Sequence, residues 1–250
     1  MYAAGFTDTG VARSQNQDSI FVCNKPIGPF PNLFIVADGM GGHNAGDVAS
    51  AMAVAKFSGY IRGYGASPYI LPENYLDLLV SAAQHAGGEI IKLAETEETM
   101  RGMGTTLTAC VIAGEKIFIA HIGDSRAYSI NMFGVKQLTT DHTYVEELLQ
   151  SGKVSKKEAL AHPKRHVLTR VLGIPGTGGM EIDGIVRELG ESAAILMCSD
   201  GLSNMIDNDT LVRIVNGLGY VENRAGYLVD EANRRGGHDN ISVILIDIVR

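Results

Sequence analysis

The stretch from Thr105 to Ile122 reads TTLTACVIAGEKIFIAHI. Two apolar runs rich in β-branched residues, Thr105 to Ala113 and Lys116 to Ile122, are separated only by Gly114 and Glu115. A two-residue connection closes a hairpin, so the runs are expected to pair antiparallel. Outward from this hairpin, further short apolar runs bounded by Gly, Asp or Asn mark strands at Leu33 to Ala37, Ala127 to Asn131, Ala193 to Cys198 and Ile241 to Val249. Helical periodicity is confined to Gly46 to Tyr60, Tyr75 to Ala94, Thr210 to Asn216 and Asn223 to Arg234. Strands that follow one another, with helices gathered apart, favour antiparallel sheets covered by helices over a doubly wound parallel sheet. The expected class is α+β.

A chain of 250 residues without a Pro- or Ser-rich divider or a block of single-sign charge suits one domain, residues 1–250, with a sizeable core. Lys and Arg number 21 against 28 Asp and Glu, which argues against a surface built to coat nucleic acid or anionic lipid. No run approaches the roughly 20 apolar residues that cross a bilayer, and residues 1–8 lack a leader pattern. The expectation is a cytoplasmic chain without membrane insertion. Cys23, Cys110 and Cys198 lie far apart in apolar stretches and read as small core residues rather than as disulfides or zinc ligands. The polar segment 142–165 supplies little to a core and is expected to form a mobile surface insertion beside a site.

Chemistry is signalled by aspartates at strand ends. Asp38 closes Phe34-Ile35-Val36-Ala37 and Asp200 closes Ile195-Leu196-Met197-Cys198-Ser199, each opening into glycine. Asp124 stands in the turn between two strands, and Asp239 precedes the last one. One such Asp usually begins a turn or caps a helix; four at strand rims suggest more. If these rims converge, ionised carboxylates repel one another in a partly dry cleft, and a cation is the usual remedy. All-oxygen ligands select Mg²⁺ or Mn²⁺ over zinc. Gly39, Gly41, Gly42 and Gly201 would let backbone approach an ion or phosphate.

Eight segments in order resemble the metal-dependent type 2C protein serine/threonine phosphatases, in bacterial style. They are Arg13-Ser14-Gln15-Asn16-Gln17-Asp18, Asp38-Gly39-Met40-Gly41-Gly42-His43, Gly104-Thr105-Thr106, Gly123-Asp124-Ser125-Arg126, Leu138-Thr139-Thr140-Asp141-His142, Leu168-Thr169-Arg170-Val171-Leu172-Gly173, Cys198-Ser199-Asp200-Gly201-Leu202 and Asp239-Asn240. The resemblance implies a four-layer α-β-β-α sandwich of two antiparallel sheets, with two Mn²⁺ or Mg²⁺ ions in a cleft at one edge. Asp38 would bridge the ions, with Asp200 and Asp239 on the first and the Gly39 carbonyl on the second, while Asp18 acts through water. Asp124 with Asp200 matches a third, weaker metal site, and Arg13 matches the residue that grips the substrate phosphate. The implied reaction is hydrolysis of phosphoserine and phosphothreonine by direct attack of a water or hydroxide shared by the two ions. Implied partners are phosphorylated proteins, among them a cognate serine/threonine kinase and its substrates, and the chain is expected to be a monomer. Segment 142–165 matches the variable flap of the family.

One departure matters. Met40 stands where eukaryotic-style members carry the histidine proposed to protonate the leaving oxygen. His43 is a candidate for that role, with loop packing or substrate contact as its alternatives, and a metal-bound water could do the same job. The remaining histidines read as surface or core residues. Other phosphatase chemistries lack their marks: no cysteine is followed by arginine six positions later, and Asp207-Asn208-Asp209-Thr210-Leu211 fails an aspartyl-phosphate pattern. The glycine-rich segment 173–179 lacks the Lys-Ser/Thr ending of a nucleotide loop. A non-catalytic relative using the fold for phosphoprotein binding is the competing reading; lost ligand aspartates would favour it, and none is lost.

Overall fold

The computed structural model describes residues 1–41, 45–65, 70–174 and 180–248. Its strands are β1 (Tyr2–Asp8), β2 (Asp18–Cys23), β3 (Leu33–Met40), β4 (Gly104–Thr105), β5 (Leu107–Ala113), β6 (Lys116–Ile122), β7 (Arg126–Asn131), β8 (Gly134–Gln137), β9 (Asp183–Glu188), β10 (Ala194–Cys198) and β11 (Ile241–Asp247). The helices are α1 (Ala45–Gly63), α2 (Tyr75–Thr96), α3 (Tyr144–Gln150), α4 (Lys156–Ala161), α5 (Asp200–Ser203), α6 (Asn208–Val215) and α7 (Val221–Arg234). One sheet has the order β1-β11-β10-β7-β8 and the other β2-β3-β5-β6-β9, with β4 on β3. Every ladder is antiparallel.

Side-chain alternation along the central strands explains the layering. Phe34, Val36, Cys110, Ile112, Ile117 and Ile119 of one sheet meet Ile195, Met197, Ile244 and Ile246 of the other in a buried core between the sheets. The intervening residues of the first sheet, such as Ile35, Ala109 and Ala120, pack beneath α1 and α2. Those of the second, Leu196, Val243 and Leu245, pack beneath α6 and α7. Both faces of the central strands are therefore covered, and those strands read as continuous apolar runs instead of alternating polar and apolar residues. The result is the four-layer sandwich expected.

The hairpin at Thr105 to Ile122 forms, with Ala113 opposite Lys116 and Gly114 at φ +59°. Its first arm is interrupted. Thr106 leaves the ladder to exchange hydrogen bonds with Asp38, accepting from the Asp38 N–H (3.0 Å) and donating its own N–H to the Asp38 carbonyl (2.8 Å). Segment 142–165, expected as a mobile insertion, folds into α3 and α4, which pack on each other. Thr143 caps α3, and a Ser155–Glu158 capping box opens α4. His142 and Thr143 at its base are buried. Cys110 and Cys198 are buried and Cys23 is partly so, all as free thiols. Among the described residues no helix is long and apolar enough to cross a membrane.

Candidate active site

The acidic residues come from both sheets. β2 and β3 pair with Asp18 directly opposite Asp38, which sends both side chains to one face. From the other sheet, Asp200 follows β10 as the first residue of α5, and Asp239 precedes β11. Asp124 sits in the turn from β6 to β7. A cleft of about 930 Å³ is lined by Arg13, Asp38, Gly39, Asp124, Asp200 and Asp239 together. Strand ends about 200 residues apart in sequence, those of Asp38 and Asp239, thus line one cleft.

Close backbone approach makes this possible. A Cβ on Gly39 would lie 1.9 Å from the Gly46 carbonyl oxygen and 2.6 Å from that of Gln17. Only glycine lets the end of β3 meet the start of α1. Asp239 is presented by a neighbour whose importance the sequence did not reveal. Buried Asn240 donates through Nδ2 to the Thr9 and Gln15 carbonyls, both at 2.8 Å, and its Oδ1 accepts the Gln17 N–H at 2.8 Å. This one amide closes the loop that carries Arg13 over Asp239, and Arg13 Nη2 reaches Asp239 Oδ2 at 2.9 Å.

The seam between the sheets is bridged at the same end. Ser199 Oγ donates to Asp18 Oδ2 at 2.7 Å while accepting the Ser242 N–H at 2.9 Å. Among the described residues, buried Asp18 Oδ1 has no hydrogen-bond partner. Burial lifts the Asp18 pKa to about 7, with hydrogen bonds from Ser242 and Ser199 opposing and the charges of Asp200 and Asp239 adding to the rise. Asp38 is pushed well above the ordinary carboxylate range by burial, then by Asp18, Asp200, Asp124 and Asp239. Burial and Asp200 raise Asp124 to about 8, and burial and Asp239 raise Asp200.

A pocket that disfavours the charges of its own ligands is one that demands compensating positive charge. The oxygen-only donor set and the orphaned Asp18 Oδ1 fit hard divalent cations. Among the described residues, no three acidic, histidine or cysteine side chains are gathered closely enough to hold an ion unaided. Asp239 is instead turned to Arg13 and Asp18 to Ser199. The carboxylates' mutual effects on ionisation place them within electrostatic reach of one another.

Of the expected residues, Gly42 and His43 lie outside the described residues, and Asp18 is buried and is not among those lining the cleft. Met40 lines the cleft. Two histidines assigned by sequence to surface or core line it as well, His166 and His238, and His166 lowers the pKa of Asp200 by its charge. No spacing to another ligand marked either one. His142 and His121 also belong to the surroundings of the site, buried with rings 4.9 Å apart behind the Asp124 turn.

A cleft whose clustered carboxylates stand beside an arginine, at one edge of a helix-flanked double sheet, suits a metal-dependent enzyme that handles phosphate. The model of protein phosphatase 2C matches residues 11–226, and the chain belongs to that family. It is 40% identical over 248 residues to the serine/threonine phosphatase stp of Listeria monocytogenes, covering 99% of this chain and 96% of the relative. The crystal structure of the serine/threonine phosphatase Stp1 from Staphylococcus aureus superposes with a TM-score of 0.90 at 29% identity, over 99% of this chain and 95% of that one. The catalytic domain of PstP in complex with two manganese ions gives 0.81 at 32% identity, over 100% and 98%. The chain is a metal-dependent protein serine/threonine phosphatase.

Proposed function

We propose that this enzyme hydrolyses phosphoserine and phosphothreonine in proteins by direct attack of water on phosphorus, with no phosphoenzyme, at a centre of two Mn²⁺ or Mg²⁺ ions. The observation that carries the reading is the joint lining of one cleft by Asp38, Asp200, Asp239 and Arg13, with burial raising the pKa of Asp38 and Asp200. Asp38 would be shared by both ions, Asp200 and Asp239 would hold the first, the Gly39 carbonyl the second, and Asp18 would act through water. Asp124 with Asp200 would form a third, weaker site. Bound there, divalent cations acidify water and offset negative charge on the phosphoryl oxygens.

The chain's own residues do the positioning. The Arg13 guanidinium, about half exposed at the cleft mouth, can leave Asp239 and offer a forked pair of donors to phosphate oxygens. Asn240 holds that arginine's loop in place. Met40 cannot protonate the leaving group; His166 and His238, which line the cleft, and His43 are the side-chain candidates for that role. Segment 142–165 would act as a flap influencing substrate choice, since Leu160 and Arg165 line the same cleft. Phosphoproteins, including a cognate serine/threonine kinase and its substrates, are the proposed partners of a cytoplasmic monomer.

Purified protein should hydrolyse an aryl phosphate and a phosphothreonine peptide with Mn²⁺ and stop with EDTA. A pre-steady-state burst accompanied by covalently trapped phosphate would refute direct attack.

A further inference from the structure

The turn that presents Asp124 is held from two sides. On one, Ser125 Oγ shares a 2.7 Å hydrogen bond with Thr106 Oγ1, which accepts the Asp38 N–H. That side refers Asp124 to the strand bearing Asp38. On the other, His142 grips Gly123, the residue before Asp124, twice: the His142 N–H donates to the Gly123 carbonyl at 2.8 Å, and ring Nδ1 accepts the Gly123 N–H at 3.1 Å.

The partners fix the tautomer. Because Nδ1 faces an N–H it carries no proton, so the proton sits on Nε2, which points to Asp183 Oδ2 at 3.2 Å. Arg170 Nη1 holds the other oxygen of Asp183 at 3.1 Å. The His142 carbonyl accepts from the Thr169 N–H at 2.9 Å, tying the base of segment 142–165 into the same arrangement. Gly123 adopts φ +107°, where a side chain is strained, and a Cβ there would meet Thr106 at 2.6 Å. The turn is thus pressed against Thr106 and needs an acceptor behind it.

We propose that His142 is a positioning residue for the Asp124 carboxylate, setting through Gly123 the distance at which Asp124 and Asp200 share a cation. It touches neither substrate nor ion. The proposal rests on the reading of Asp124 and Asp200 as cation ligands and goes beyond it by naming what sets their spacing. Remote partners of metal ligands typically alter affinity by about 10–100-fold when removed. Here the effect should fall on one class of ion and spare the pair held by Asp38, Asp200 and Asp239.

The experiment is Mn²⁺ titration calorimetry on the full chain, with thermal unfolding and aryl phosphate hydrolysis measured in parallel. His142→Ala should weaken the weakest class of Mn²⁺ by about tenfold or more and leave the tighter classes within about twofold. His142→Asn, whose Oδ1 can replace Nδ1 as acceptor, should restore the weak class to within about threefold of wild type while still lacking the bond to Asp183. Asp183→Asn, a substitution at a half-exposed position, provides a folded variant if His142→Ala does not fold, and should weaken the same class by about threefold. An unchanged weak class in His142→Ala overturns the proposal, as do an equal loss in every class and a failure of folded His142→Asn to restore it. If His142→Ala does not fold, an unchanged weak class in Asp183→Asn overturns it too. A wild-type chain that binds Mn²⁺ in no class weaker than the tight pair also overturns it. Absence of all Mn²⁺ binding in the wild type would instead sink the proposed function.

Discussion

Replacing Asn240 by Ala tests whether a residue that touches neither ion nor phosphate governs the site. Three hydrogen bonds disappear, to Thr9, Gln15 and Gln17. At a net ~1 kcal/mol each the loss is about 3 kcal/mol, and the backbone groups left facing one another keep that figure from falling much lower. The loop is not released entirely, because the Val11 and Ala12 N–H groups still donate to the Gly237 carbonyl at 2.8 and 3.0 Å. Arg13 should therefore wander rather than depart, with kcat/KM on a phosphopeptide falling by about tenfold or more. Asn240→Asp is predicted to be no better. It keeps an acceptor for Gln17 but turns a carboxylate oxygen toward two carbonyls and adds charge to an acidic cleft. Urea unfolding and steady-state kinetics at saturating Mn²⁺ read both effects. Stability within 0.5 kcal/mol of wild type together with unchanged kcat/KM would refute the clamp.

Asp38→Ala should abolish Mn²⁺-dependent hydrolysis while the chain stays folded, and the rise in Tm that Mn²⁺ gives the wild type should vanish in it; differential scanning fluorimetry with and without the ion checks this. Gly39→Ala should cost about 2–3 kcal/mol and most of the activity, since its methyl group would need the space of the Gly46 carbonyl. Buried His121 has its pKa lowered to about 4, chiefly by burial and then by His142. Its folded form refuses a proton that the unfolded chain accepts below the ordinary value near 6.5. This contribution is intact above pH 6.5 and is lost as pH falls toward 4, in all by about 3 kcal/mol. Urea unfolding of wild type and His121→Gln should converge by that amount between pH 7 and pH 4, and parallel curves would refute the assignment.

The buried middle of the fold was legible because both faces of β3, β5, β6, β10 and β11 are covered, leaving uninterrupted apolar runs. β9, DGIVRE, is mostly exposed and carries no such run, and β2, DSIFVC, is only partly buried with its apolar run limited to Ile20 to Cys23; neither was read as a strand. The break after Thr105 was hidden because Thr106 leaves the ladder for a partner 68 residues away. The aspartates could be found by their placement at strand ends. Asn240 could be quoted but not given a task, since its three partners are distant in sequence. His142 looked like the start of a solvated insertion, whereas its ring is turned inward against Gly123. Amphipathic pattern reports burial by neighbours along the chain; it does not report which distant carbonyl or amide a polar side chain meets.

The carboxylates of Asp18 and Asp38 belong to one layer of the sandwich, and those of Asp200 and Asp239 to the other. Between the layers lie apolar side chains, whose cohesion resists parting yet imposes little direction on sliding. An ion held, as proposed, by carboxylates of both layers would add a rivet at the end where Ser199 and Asp18 already join them. Loading the enzyme should then quiet shear across its whole width, and hydrogen exchange would register this far from the metal, in amides of β7 and β9.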